Sequence, residues 1–175
     1  EAVAAAEKKA RDVAESHPEA LVIGADTVVA LGGRILGKPR DLAEGREMLR
    51  ALSGSRHRVI TGVALFRKSD GRLATGYEIT RVVFRRLEDA EIEEYLAKNE
   101  FLDKAGSYAV QEVGDRFVKR IAGDYENIVG FPVGRVKRLM KKFFAPEFDV
   151  EIVDAALPND WGVARKDGMI LFVPG

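Results

Sequence analysis

The sequence predicts one domain of mixed class, α/β or α+β, built on a largely mixed sheet. Three observations point there. An unbroken apolar run at residues 21–23, inside "ALVIGADTVVAL", suits a strand covered on both faces. Two long strand-like segments, "HRVITGVALFR" and "RLATGYEITRVVFRRL", flank the turn "KSDG" and read as an antiparallel pair. Apolar residues at helical spacing lie on either side of this region, at Val3, Ala6, Ala10 and Val13 and again at Val136, Leu139, Met140 and Phe143. The elements do not alternate strictly, and 175 residues with 46% hydrophobic content suffice for one sizeable core while being short for two.

Taken in order, "EAVAAAEKKARDVAESHP" reads as the inside of a helix closed by Pro18, and the chain is read as beginning partway into its domain. After the first strand, residues 28–31 and 34–36 flank Gly32-Gly33, a two-residue hairpin signal because both glycines accept positive φ. Asp41 and Glu44 have capping-box spacing for a helix whose inner stripe is Leu42, Met48, Leu49 and Leu52, ended by Ser53-Gly54. Beyond the long strand pair, residues 88–98 form a short helix with Ile92, Tyr95 and Leu96 inward. "SYAVQ" and "RFVKRI" read as short strands, and "GDYENIVGFP" as a Gly-bounded turn. A helix over Val133–Phe144 follows, with Arg135, Lys137, Arg138, Lys141 and Lys142 opposite its apolar side, a stripe read as a solvated face. The last thirty residues hold one further strand candidate and a "WGVARKDGMILFV" hairpin around Asp167-Gly168; Trp161 is read as a packing residue.

Composition narrows the chemistry. Lys+Arg 28 against Asp+Glu 28 leaves no net charge to draw the chain onto nucleic acid or an anionic membrane, so a small molecule or a protein partner is expected. The absence of cysteine excludes disulfides, thiolate catalysis and zinc–thiolate sites, and suits a reducing, cytoplasmic setting. With only two histidines, His17 and His57, a metal would have to be held by oxygen, which points to magnesium or manganese. No apolar run approaches the roughly 20 residues of a membrane span.

Gly32-x-x-x-x-Gly37-Lys38 is one residue short of a phosphate-cradling P-loop. Pro39 stands where a Ser or Thr hydroxyl should meet magnesium, it disfavours a helical Lys38, and the residues between the glycines look like a hairpin arm, so a P-loop is rejected. Asp26 is the most informative position. An acid at the end of a buried strand is suited to general-base work, because low-dielectric surroundings raise a carboxyl's pKa, although the pattern alone equally allows a turn or cap aspartate. Lys38, held between Gly37 and Pro39, suits a phosphate counter-ion; on its own it reads as a surface lysine.

"LVIGADTVVALGGRILGKPRDLAEGREMLRALSGSRHRVITGVAL" and "FLDKAGSYAVQEVGDRFVKRIAGDYENIVGFPV", in this order and spacing, closely resemble the Maf family of house-cleaning nucleotide pyrophosphatases, once described as septum-formation inhibitors. The resemblance implies an α/β fold on an elongated twisted sheet flanked by helices, similar to the inosine-triphosphate pyrophosphatases. It places a Maf-like domain over residues 1–145, with 146–175 as an extension of unassigned role. It implies hydrolysis of a nucleoside triphosphate to monophosphate and pyrophosphate with a divalent metal, Mg or Mn, no nucleic-acid or membrane partner, and an assembly compatible with a homodimer. Asp26 in "GADT" takes the proton-acceptor position, Lys38 of "GKP" resembles the phosphate-contacting lysine, and Lys104 of "DKAG" is a second candidate. Thr27 and Gln111 match two positions tied to substrate choice and resemble the dTTP/UTP subgroup, where 7-methyl-GTP members carry Gln and Glu; a Gln amide offers a donor and an acceptor to the edge of uracil or thymine. Glu112 follows Gln111 where the family has Gly, adding a carboxylate. His57 fits the family's strand entry and is read as structural. The family also carries a strand and a Ser/Pro/Arg-rich loop ahead of the part matched, with cationic donors to the triphosphate. Two rival readings are a nucleotide-binding regulatory module without turnover and a division-associated partner that docks through the basic helix.

Overall fold

The computed structural model describes residues 1–98, 101–144, 161–166 and 169–174. Helices α1 (Ala2–Ala14), α2 (Leu42–Leu52), α3 (Asp89–Lys98), α4 (Val110–Phe117), α5 (Tyr125–Val129) and α6 (Val133–Phe144) accompany strands β1 (Leu21–Leu31), β2 (Arg34–Leu36), β3 (Arg56–Arg67), β4 (Arg72–Phe84), β5 (Val118–Ala122), β6 (Trp161–Lys166) and β7 (Met169–Pro174). The strands form one open sheet in the order β5-β4-β3-β1-β7-β6, with β2 paired to β1. The architecture is the α/β sheet with flanking helices that the sequence predicts, but where a mixed sheet is expected the pairings of β1 with β2 and β7, of β4 with β5 and of β6 with β7 are antiparallel. Two compact units divide the chain, one of residues 1–26, 61–78 and 133–175, the other of 27–60 and 79–132.

In the first unit α1 lies directly on strand backbone. Its buried stripe is Ala2, Ala6, Ala10 and Ala14, while Val3 and Val13, expected inside, are only half-buried. Two strand glycines explain the shift. A Cβ on Gly24 would sit 2.1 Å from the Ala6 carbonyl oxygen, and one on Gly62 would sit 2.4 Å from Val3 N, so only alanines fit beneath the helix. Val22, Ala64 and Phe66 complete this core, and the Arg11 guanidinium lies 4.3 Å from the Phe66 ring centre. Helix α6 buries Val136, Leu139 and Phe143, as its spacing predicts, while Met140, expected on the same side, is half-buried. Its basic face is not simply solvated: Arg135 and Arg138 both donate to Glu78 Oε2 on β4, at 3.2 and 2.9 Å. The arms of the predicted C-terminal hairpin are β6 and β7, antiparallel through Lys166↔Met169, and β7 pairs with β1 at Leu21–Ile23. Asp167, Gly168, the Trp161 side chain and residues 145–160 lie outside the described residues.

The second unit holds the larger core, with Leu49, Leu52, Val82, Phe84, Ile92, Tyr108 and Phe117 at its centre. The Gly32-Gly33 hairpin forms as expected, with φ of 55° and 83° and Leu31 opposite Arg34. Asp41 caps α2 by accepting from Glu44 N at 2.9 Å, while Glu44 reaches back to Arg40 N at 2.7 Å. Leu42, expected in the inner stripe, is 47% exposed at the helix start; one turn on, Gly45 lies under the Phe101 ring and Met48, Leu49 and Leu52 carry the packing. "SYAVQ" is not a strand. A 3-10 turn over Ala105–Ser107 leads into α4, because Val110, Val113 and Phe117 recur at helical spacing and are buried; "RFVKRI" is strand only from Val118.

His57 is structural, as its place in the sequence suggests. It is 2% exposed, its Nε2 pairs with the Tyr108 hydroxyl at 2.8 Å, and its ring packs edge-on against Phe84. Nδ1 has no partner among the described residues, and burial pushes the imidazole down to about 4. Because the folded state holds the ring neutral while the unfolded chain titrates near 6.5, the stability it confers is full above about pH 6.5 and is lost as pH falls towards 4, by roughly 3 kcal/mol in all. Urea titrations between pH 4 and 7 are expected to show this slope in the native chain and to lose it in a folded His57→Phe variant; an unchanged slope would assign it to other groups.

Candidate active site

Asp26 sits in the middle of β1 rather than at its end, with its side chain 24% exposed. Its partner is Lys9, one turn from Ala6 and next to Ala10 on the flank of the α1 stripe. Lys9 Nζ donates to Asp26 Oδ1 at 2.7 Å and to the Ala25 carbonyl at 3.4 Å. The close seat of α1 on Gly24 delivers this ammonium, since the helix backbone meets the strand two residues before the aspartate. Sequence reading missed Lys9. The signal was there in principle: once Ala6 and Ala10 are known to face the sheet, Lys9 is the basic residue next to that face.

The other positions singled out in the sequence lie in the second unit. Thr27 is half-buried on β1, and the α-carbon of Gly130 is held beside it, such that a Cβ there would lie 3.3 Å from Thr27 Oγ1. Lys38 is exposed on the loop after β2. Lys104 precedes the 3-10 turn, 3.1 Å from the Asp103 carboxylate. The structure brings the Lys38 and Lys104 loops together, because Gly106 N donates to the Gly37 carbonyl at 3.0 Å. Gly106, at φ 69°, has no side chain because Val29 occupies that space, 3.1 Å from where a Cβ would stand. The next residue, Ser107, is buried at φ 63°, a backbone state costly for a non-glycine, and its hydroxyl points at Met48 Sδ at 3.3 Å. Two cationic loops are thus fastened by main-chain contacts that no short motif records.

Gln111 is exposed in the first turn of α4. Glu112, the departure noted beside it, accepts from the Tyr95 hydroxyl at 2.9 Å, and the same hydroxyl accepts from Ala109 N at 3.2 Å. The added carboxylate is therefore engaged in pinning the start of α4. Among the described residues no group of three or more His, Asp or Glu side chains is arranged to hold a metal ion, and no helix is long and apolar enough to cross a membrane.

The profile of the Maf-like protein family matches residues 1–143. The chain belongs to this family. Among its Maf-like relatives, one from Bacillus cytotoxicus is 51% identical over 141 residues, 81% of this chain and 73% of that protein. One from Clostridioides difficile (strain 630) is 47% identical over 138 residues, 79% and 71% of the two chains. A third, from Bacillus mycoides, is 50% identical over 136 residues, 78% and 70%. All three relatives are named dTTP/UTP pyrophosphatase. The Maf-like match takes in α1, so Lys9 falls inside it together with Asp26, Lys38, Lys104 and Gln111.

Proposed function

We propose that this Maf-like protein is a nucleoside triphosphate pyrophosphatase acting on dTTP and UTP, releasing the monophosphate and pyrophosphate. The names of its relatives support the reaction, and the observation that carries the chemistry is the Asp26–Lys9 pair, a partly exposed carboxylate on a rigid strand held by an ammonium at 2.7 Å. Asp26 takes a proton from water as the water oxygen bonds to the α-phosphorus, and the bond from that phosphorus to the bridging oxygen of the β-phosphate breaks. Lys9 fixes the orientation of the carboxylate. Lys38 and Lys104, on loops tied to each other, offset charge on the departing pyrophosphate. Thr27 and Gln111 select the pyrimidine base, and the reaction runs in the cytoplasm.

The described residues do not form a cage for a metal. A divalent cation, Mg or Mn, would enter with the nucleotide and would supply polarisation of the phosphate when bound.

A pyrophosphate-release screen across canonical and modified triphosphates tests the reading. Release from dTTP and UTP ahead of purine triphosphates is the expected result; binding without release would favour a regulatory nucleotide-binding module. Within that screen Lys38→Ala is expected to lower turnover about 10²-fold, as loss of an oxyanion donor does, with an unchanged melting temperature. An unchanged rate would return Lys38 to the surface.

A further inference from the structure

The second unit contains a buried polar network that the reaction above does not use. Thr80 on β4 and Asn127 on α5 are both fully buried. Asn127 Nδ2 donates to Thr80 Oγ1 and to the Val59 carbonyl, each at 3.0 Å. Thr80 Oγ1 in turn donates to the Asp124 carbonyl at 2.6 Å. Asp124 is the N-cap of α5, where its side chain accepts from Glu126 N at 2.8 Å. Just before it, Gly123 at φ 129° lies so close to β4 that a Cβ would stand 3.0 Å from Thr80 Oγ1.

A five-residue helix has too few internal hydrogen bonds to hold its own position. Here it is pinned to two strands from beneath, through one hydroxyl and one amide. The far end of the pinned segment is Gly130, the left-handed C-cap at φ 103°, where a Cβ would stand 3.3 Å from the Thr27 hydroxyl. The end of α5 therefore borders Thr27. On the outward side α5 leaves Tyr125 and Val129, one turn apart, 48% and 45% exposed.

We propose that the Asp124–Gly130 segment sets nucleobase discrimination, with Thr80 and Asn127 as positioning residues that act through Gly130 on Thr27. The proposal rests on the reading of this chain as a nucleotide pyrophosphatase in which Thr27 meets the base. Buried hydrogen bonds are suited to this task. A site that reads base edges by hydrogen bonding discriminates only while its own polar groups stay aligned, and an amide–hydroxyl–carbonyl chain inside the core allows one alignment. The chemistry of the α-phosphate does not pass through these residues, so their loss should change which nucleotide is used rather than how fast a bound one reacts.

The test uses Thr80→Val, which keeps the shape and removes the hydroxyl, beside Thr80→Ser, which restores it. For each, kcat and KM are measured with dTTP and ATP, and affinities with the α,β-imido analogues of dUTP and ATP. The expected result for Thr80→Val is a fall of about tenfold in the dTTP-over-ATP ratio of kcat/KM, carried by KM, with kcat nearly unchanged and with Thr80→Ser close to the native ratio. A lowered melting temperature with an unchanged ratio would overturn the proposal and leave the network a structural anchor. Equal losses for both nucleotides would overturn it as well. Gly130→Ala supplies a second arm: its Cβ presses on Thr27, and it should shift the same ratio, which an unchanged ratio in a folded variant would contradict. The imido analogues separate this from the parent reading. A native chain that binds the pyrimidine analogue preferentially but releases no pyrophosphate defeats the pyrophosphatase reading alone; the positioning proposal then stands or falls on whether Thr80→Val flattens the affinity ratio.

Discussion

Asp26→Asn is expected to lower pyrophosphate release by roughly 10²–10⁴-fold, the range over which positioned general bases act. The amide keeps the size of the carboxylate and can still accept from Lys9 through its oxygen, so the fold should survive; what disappears is a group that can take the proton from water. The loss should fall on kcat and kcat/KM alike, because the interaction removed is one made in the transition state. Single-turnover pyrophosphate release, with circular dichroism to confirm the fold, decides it. Near-normal turnover by a folded Asp26→Asn protein would remove the residue from the mechanism and leave the Lys9 pair as a link between helix and strand.

The second large effect is expected from Gly24→Ala. A methyl group there would lie 2.1 Å from the Ala6 carbonyl oxygen and 3.0 Å from Ala10 N, both helix backbone, so no side-chain rotation relieves the contact. Helix α1 must lift, at an overpacking cost of about 3 kcal/mol, or roughly 10 °C in melting temperature for a chain of this size. Lifting also draws Lys9 away from Asp26, so turnover should fall together with stability. Glu7→Ala, on the same helix, serves as a control, since it removes only an i, i+4 pair with Arg11 and should change stability by less than about 0.5 kcal/mol. Thermal unfolding and pyrophosphate release measured on both variants carry the comparison, and a Gly24→Ala protein that melts and turns over like the native chain would show that α1 is not seated as described.

Long periodic elements were legible in the sequence and short ones were not, for a physical reason. The Gly32-Gly33 hairpin, the Asp41 cap and the inner face of α6 are set by local chemistry, namely left-handed glycines, a side-chain acceptor and a repeat of three and four. The region around Ser107 is different. Its conformation is imposed by contacts distant in sequence, Gly106 to Gly37, Ser107 to Met48 and Tyr108 to His57, so "SYAVQ" read as a strand when three of its residues, Ser107, Val110 and Gln111, belong to a turn or a helix. The same holds for Lys9, Thr80 and Asn127. A lysine in an alanine-rich helix, a threonine in a strand and an asparagine in a turn are each unremarkable alone; Lys9 faces Asp26 across seventeen positions, and Asn127 meets Thr80 across forty-seven.

Strand β1 also bears on how this chain can change over generations. It carries Asp26 and Thr27 as consecutive residues, with the Gly24 seat of α1 just before them and the Val29 support of Gly106 just after. Because side chains along a strand alternate between faces, inserting or deleting one residue anywhere between Gly24 and Val29 would exchange the two faces. Lys9 would then meet the wrong side chain and Gly106 would lose the one it packs on. Point substitution at position 27 therefore leaves the Asp26–Lys9 pair next to it in place, whereas length variation in this strand does not. Tolerated insertions should gather instead in the exposed turns at residues 15–19 and 68–71, which leave the spacing from Gly24 to Val29 untouched.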